Sequence, residues 1–148
     1  MSERSQDLLR SHAGALLPAV TRVVVSMYRP HLVPYGLTHP QFLVLLVLEL
    51  CQPRAVTQIG RSLALTPATL TPMLQRLEAL GYISRSRGVP DGRRLAVSLT
   101  STGSALLPDL KQIREHVDQL IGLSPDQRQL LEVAAAGRGN GLQDSTGR

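Results

Sequence analysis

Between Thr66 and Arg76 the sequence reads Thr-Pro-Ala-Thr-Leu-Thr-Pro-Met-Leu-Gln-Arg. Wound as a helix, it gathers Leu70, Met73, Leu74, Leu77 and Leu80 on one side. Ala68, Thr69, Thr71, Gln75 and Arg76 then fall on the other. Those side chains suit the edges of base pairs. Threonine bonds either base type and its methyl touches thymine, glutamine pairs with adenine, and arginine pairs with guanine or phosphate. Further along come Arg85, Arg87, Asp91, Arg93 and Arg94, the last three beside a Pro-Asp-Gly turn. An arginine carried on a hairpin tip can enter a narrow, strongly negative minor groove. The chemistry in view is recognition of a polyanion, with no bond made or broken. Plainer readings stand beside it. Thr69 and Thr71 also suit a helix start, Gln75 and Arg76 a solvated face, and Asp91 a turn that pins a wing arginine.

Charge is distributed to match. Of the net +5, the stretch 54–94 alone carries +5, from seven arginines and two acids. Residues 1–53 sum to +1 and residues 95–148 to −1. A basic block between near-neutral ends is an electrostatic footprint for a polyanion, although a merely solvated basic face has the same composition. Fifteen of the sixteen basic residues are arginine, which holds phosphate and guanine bidentately better than lysine does.

The elements that would position these residues follow from periodicity and caps. Leu8, Leu9, Leu16, Leu17, Val20, Val23, Val24 and Met27 predict a helix over 6–32, with Pro18 as a kink candidate. Thr38 and Gln41 have capping-box spacing and open a helix over 39–51 that is apolar nearly all round, as a central buried helix is. Thr57 is read as the N-cap of a short helix over 58–64. Ala64-Leu65-Thr66 is a three-residue turn, and Thr66 with Pro67 at the first helical position opens the next helix, which ends at Gly81. Residues 82–87 and the alternating Leu95, Val97 and Leu99 form a hairpin with an arginine-rich tip. Thr100 caps a further helix, with Leu106, Leu107, Leu110, Ile113 and Val117 on its apolar face. Ser124 and Gln127 form a second capping box for a last helix over 125–136. From Gly137 onward the composition predicts disorder.

Short helix, tight turn, longer helix and basic hairpin make a helix-turn-helix with a wing. The fold class expected is therefore mainly α with a small β-hairpin wing, and the expected partner is double-stranded DNA. A winged-helix module that docks a protein is the alternative. It calls for an apolar patch where the sequence places threonine, glutamine and arginine.

Residues 36–107 resemble the MarR family of winged-helix regulators. The matching stretches are GLTHPQFLVLLVL, VTQIGRSLALTPATLTPMLQRLEALGYISR, and the wing pattern Asp91-x-Arg93 followed by Ser98-Leu99-Thr100-x-x-Gly103. Leu-Thr-Pro-x-Thr-Leu-Thr-Pro-Met-Leu is most similar to the organic-hydroperoxide-sensing OhrR branch. The resemblance implies one domain over 1–148, with a winged helix over 37–100. Helices over 6–32 and 101–136 would form a dimerisation region, ahead of a tail over 137–148. It implies a homodimeric transcriptional regulator, usually a repressor, on a pseudo-palindromic operator. Thr69, Thr71 and Gln75 would lie in the major groove and Arg93 in the minor groove. The chain departs from the branch where it matters for sensing. The cysteine that senses peroxide in the first helix is replaced by Gly14, and a tyrosine by His39, while Tyr28 matches a tyrosine that supports the cysteine.

Other classes of function lack their residues. No His-x-x-x-His pair and no Gly-rich phosphate loop occurs, so neither an enzyme nor a cofactor is expected. The single cysteine, Cys51, excludes an intrachain disulfide, and closing an apolar helix it is expected to be a buried, inert thiol. The start of the chain has no signal-peptide pattern, and the longest apolar run, 42–48, is far short of the roughly twenty residues of a membrane span. A cytoplasmic protein is expected. Tyr28, Tyr35 and His39 could line a pocket for a small-molecule effector; a histidine simply packed at a helix start is the favoured reading of His39.

Overall fold

The computed structural model describes residues 3–4, 6–7, 12–87 and 95–141, with side chains as far as residue 136. Two compact units divide the chain, residues 1–113 and 114–148. In chain order the elements are α1 (Ala13–Leu32), a 3-10 turn (Val33–Tyr35), α2 (His39–Leu50), β1 (Arg54–Ala55), α3 (Val56–Leu63), α4 (Pro67–Ala79), β2 (Ile83–Arg87), β3 (Leu95–Leu99), α5 (Ser101–Ile121) and α6 (Pro125–Gly141). No single helix among the described residues is long and apolar enough to cross a membrane.

The core of the first unit grows from α2. Phe42, Val44, Leu45 and Leu48 are fully buried, joined by Ile59 from α3, by Leu70, Leu74 and Leu77 from α4, and by Ile83 and Val97 from the sheet. Burying a side chain of that size contributes about 1.5–3 kcal/mol. Thr38 and Gln41 form the expected reciprocal cap of α2. The Gln41 amide donates to Thr38 Oγ1 and the Thr38 amide to Gln41 Oε1. The strands form one antiparallel sheet in the order β1-β3-β2, with Ile83 opposite Leu99 and Arg87 opposite Leu95.

Two glycines allow backbones to meet. Between α3 and α4, Ala64 adopts a left-handed conformation (φ +53°) and the Leu65 amide donates back to the Gly60 carbonyl at 2.9 Å. A Cβ on Gly60 would sit 2.8 Å from the Leu65 oxygen, so the tight turn needs glycine there. At the root of the wing, Thr100 Oγ1 donates to the Gly81 carbonyl and accepts from the Gly103 amide, capping α5. A Cβ on Gly103 would lie 2.0 Å from the Tyr82 carbonyl oxygen. The Thr100-x-x-Gly103 spacing is thus a packing requirement between wing and helix.

Several expectations change. The first helix does not run unbroken over 6–32. α1 begins at Ala13, with His12 extended at its N-cap, because the apolar stripe lapses between Leu9 and Leu16. The N-cap of α3 is Ala55, not Thr57. Ala55 is held in β1 opposite Ala96, and Gln58 Oε1 accepts its amide, so the chain passes from strand to helix with no intervening loop. β1 itself is two residues long, too short to leave a period in the sequence. α2 ends at Leu50, and Cys51 is exposed at its C-cap, so burial gives no reason for an inert thiol. α6 continues to Gly141 instead of ending at 136. Three successive alanines, strong helix formers, carry it on, and residues 142–148 lie outside the described residues.

In the second unit, Ser124 and Gln127 exchange the two bonds of a capping box, as expected from the sequence. Leu120, Leu123, Leu130, Leu131 and Val133 are exposed there, and in the first unit so are Leu16, Leu17, Val20 and Val23 of α1.

Candidate nucleic-acid interface

α4 is built to show one face. Thr66 caps it, with the Thr69 amide donating to Thr66 Oγ1 at 3.4 Å, and Pro67 follows where no amide is needed. The helix runs unbroken through Pro72. Leu70, Leu74 and Leu77 are buried, which turns Ala68, Thr69, Thr71, Gln75 and Arg76 outward, and all five are exposed. The side chains suited to base edges therefore share one solvent-facing surface. Thr69 Oγ1 also lies 3.1 Å from Thr66 Oγ1, so this hydroxyl supports the helix start as well.

The sheet edge beside α4 adds cations of two kinds. Arg87 is exposed at the end of β2. Arg85, half-buried in the same strand, reaches α4 and donates Nε at 2.9 Å and Nη2 at 2.6 Å to Glu78 Oε2. These hydrogen bonds hold the Glu78 carboxyl below the usual carboxylate range. The tip residues Asp91, Arg93 and Arg94 lie outside the described residues.

A cleft of about 490 Å³ opens between α3, α4 and the strands, lined among others by Thr57, Gln58, Arg61, Thr71 and Arg85. Three of those residues, Thr57, Gln58 and Arg61, were not among the candidate site residues of the sequence. Arg61 is exposed on α3, and its place was legible from the buried Ile59 two positions earlier. Nearby, Arg54 donates to Ser62 Oγ at 3.1 Å, tying β1 to α3.

Of the three residues read as an effector pocket, two meet. The rings of Tyr28 and His39 lie 4.8 Å apart, and each also packs on Phe42, at 5.1 and 6.0 Å. Tyr28 is buried and His39 half-buried, and desolvation lowers the pKa of His39. Tyr35 is committed elsewhere. Its hydroxyl donates to Asp109 of α5 at 3.2 Å, while its carbonyl accepts the Tyr82 hydroxyl at 2.9 Å. Among the described residues no group of three or more histidines, cysteines or carboxylates is placed to hold a metal.

Comparison with known proteins gives this surface a context. The family model of the transcriptional regulator SarA/Rot matches residues 26–110. The HTH-type transcriptional regulator TtmR of Methylorubrum extorquens (strain PA1) is 40% identical over 104 residues, 70% of this chain but only 53% of its own length. The chain thus spans about half of that relative. SarZ of Staphylococcus haemolyticus (strain JCSC1435), also an HTH-type transcriptional regulator, is 33% identical over 113 residues, covering 76% of this chain and 77% of SarZ. The structure of reduced AbfR bound to DNA superposes with a TM-score of 0.75 at 29% identity, over 95% of this chain and 99% of that one.

Proposed function

The chain belongs to the SarA/Rot family of MarR-like winged-helix transcriptional regulators, and on that premise we propose that it is a homodimeric repressor of a pseudo-palindromic operator. The observation that carries this reading is the exposed face of α4, where Thr69, Thr71, Gln75 and Arg76 stand outward over a wholly buried leucine stripe. A helix of this kind fits the major groove, and its partner in a dimer reads the second half-site one helical turn away. Thr69, Thr71 and Gln75 contact bases, Arg76 and Arg87 reach base edge or phosphate, and Arg93, with Asp91 and Arg94 near it in sequence, is the minor-groove contact that the family resemblance implies. The protein works in the cytoplasm and carries no catalysis. An effector would act through the Tyr28–His39–Phe42 cluster between α1 and α2.

A gel shift with the DNA flanking its own gene is the test. The expected result is a discrete, competable complex on one fragment. A protein that shifts no fragment more tightly than arbitrary duplex of equal length contradicts operator recognition.

A further inference from the structure

The cleft beside the recognition helix α4 presents two arginines in different states. Arg85 points both its Nε and Nη2 at one oxygen of Glu78, at 2.9 and 2.6 Å. Charge-assisted bonds of this length are the strong, directional kind, and a guanidinium so engaged has much of its charge cancelled by the carboxylate. Arg61 is exposed on the same cleft, and no acid among the described residues pairs with it. Glu78 belongs to the helix that carries Thr71 and Gln75, and Arg85 to the strand that leads into the wing tip. The pair therefore bridges the two elements whose relative angle decides whether helix and wing can enter their grooves together.

We propose that Glu78 and Arg85 form a strut that sets the wing against the recognition helix, and that Arg61, not Arg85, supplies the phosphate contact of this cleft. This rests on the DNA-reading function above. It reassigns Arg85 from a DNA contact to a positioning residue acting through Glu78. A carboxylate on a surface that approaches DNA repels phosphate, and the strut explains why one stands there.

The test measures the affinity of full-length protein for labelled operator duplex across a salt series. Glu78→Gln removes a negative charge from a DNA-facing surface and frees Arg85. By charge alone, binding would tighten. With the strut lost, it weakens by about fivefold or more. The exchange Glu78→Arg with Arg85→Glu rebuilds the pair in reverse and returns affinity to within about threefold of wild type. It also keeps the proposal testable if Glu78→Gln fails to fold. Arg61→Ala lowers the salt slope by about two per dimer, one phosphate contact from each protomer. Unchanged or tighter binding by Glu78→Gln overturns the strut, and so does an exchanged pair weaker than the single variant. An unchanged slope for Arg61→Ala overturns its phosphate role. A wild type that ignores the duplex contradicts the DNA-reading function itself, whereas a wild type that binds without these patterns overturns the strut alone.

Discussion

Gln75 stands four residues beyond Thr71, so the two share one stripe of the exposed face of α4. A glutamine that reads a base edge confers preference at one position. Gln75→Ala should relax specificity at one base pair per half-site, by about 1–3 kcal/mol, with little change at other positions. Binding to a panel of single-base operator variants measures this, and a uniform loss across the panel would make Gln75 a general contact. His39 makes a different prediction. Burial between Tyr28 and Phe42 lowers its pKa in the folded protein. The unfolded chain takes up the proton near the ordinary value of about 6.5, and the folded one resists it. Stability is therefore unaffected above that value, falls as the pH drops through it, and levels off below the lowered folded value. Melting wild type and His39→Phe from about pH 8 to about pH 5 should show a gap that changes on acidification, with the wild type losing more. A gap of constant size would contradict the assignment. At this scale the sequence was a good guide wherever helical periodicity decides which way a residue faces, as at Thr71 and Gln75. It was silent on Glu78 and read Arg85 only as one of the arginines facing a polyanion, because their pairing depends on a partner in another element, and it misplaced Cys51, since apolar neighbours in sequence do not bury the residue where a helix ends.

Between elements, the joint that matters most for presenting the wing is the one where β2, β3 and α5 meet. Tyr82 donates its hydroxyl to the Tyr35 carbonyl, and its own carbonyl accepts the Thr100 amide at 3.1 Å while lying under Gly103. Gly103→Ala puts a methyl 2.0 Å from that carbonyl oxygen, where backbone must move. A loss of about 1–3 kcal/mol in unfolding free energy is expected, read from urea denaturation. Stability equal to wild type would mean that the joint shifts at no cost. The element order, both capping boxes and the hairpin were legible because caps, turn residues and strand alternation are local signals. β1 was not. Two residues carry no periodicity, and Arg54 and Ala55 are extended only because β3 offers them a partner. The start of α1 and the end of α6 missed for a related reason, since helix ends without a strong cap leave little trace in sequence.

For the whole molecule, the exposed leucines and valines of α1 in one unit and of residues 120–133 in the other are apolar surface that the proposed dimer would cover. Each set is apolar surface that a monomer leaves in water, and such surface marks interfaces. A two-fold operator also needs a two-fold protein. Light scattering should give about 32 kDa, twice the chain's 16.1 kDa, and a stable 16.1 kDa species that still binds the operator tightly would contradict a dimer.

The most direct test of DNA reading is the dependence of affinity on salt. The positive charge of this chain is concentrated in the stretch 54–94, which includes α3, α4 and β2. Arginines that replace condensed counterions at roughly six to ten phosphates per dimer make log affinity fall against log salt with a slope of about −5 to −9. A slope in that range for the operator duplex is the predicted result, and a slope near zero would contradict a regulator that grips DNA through this surface.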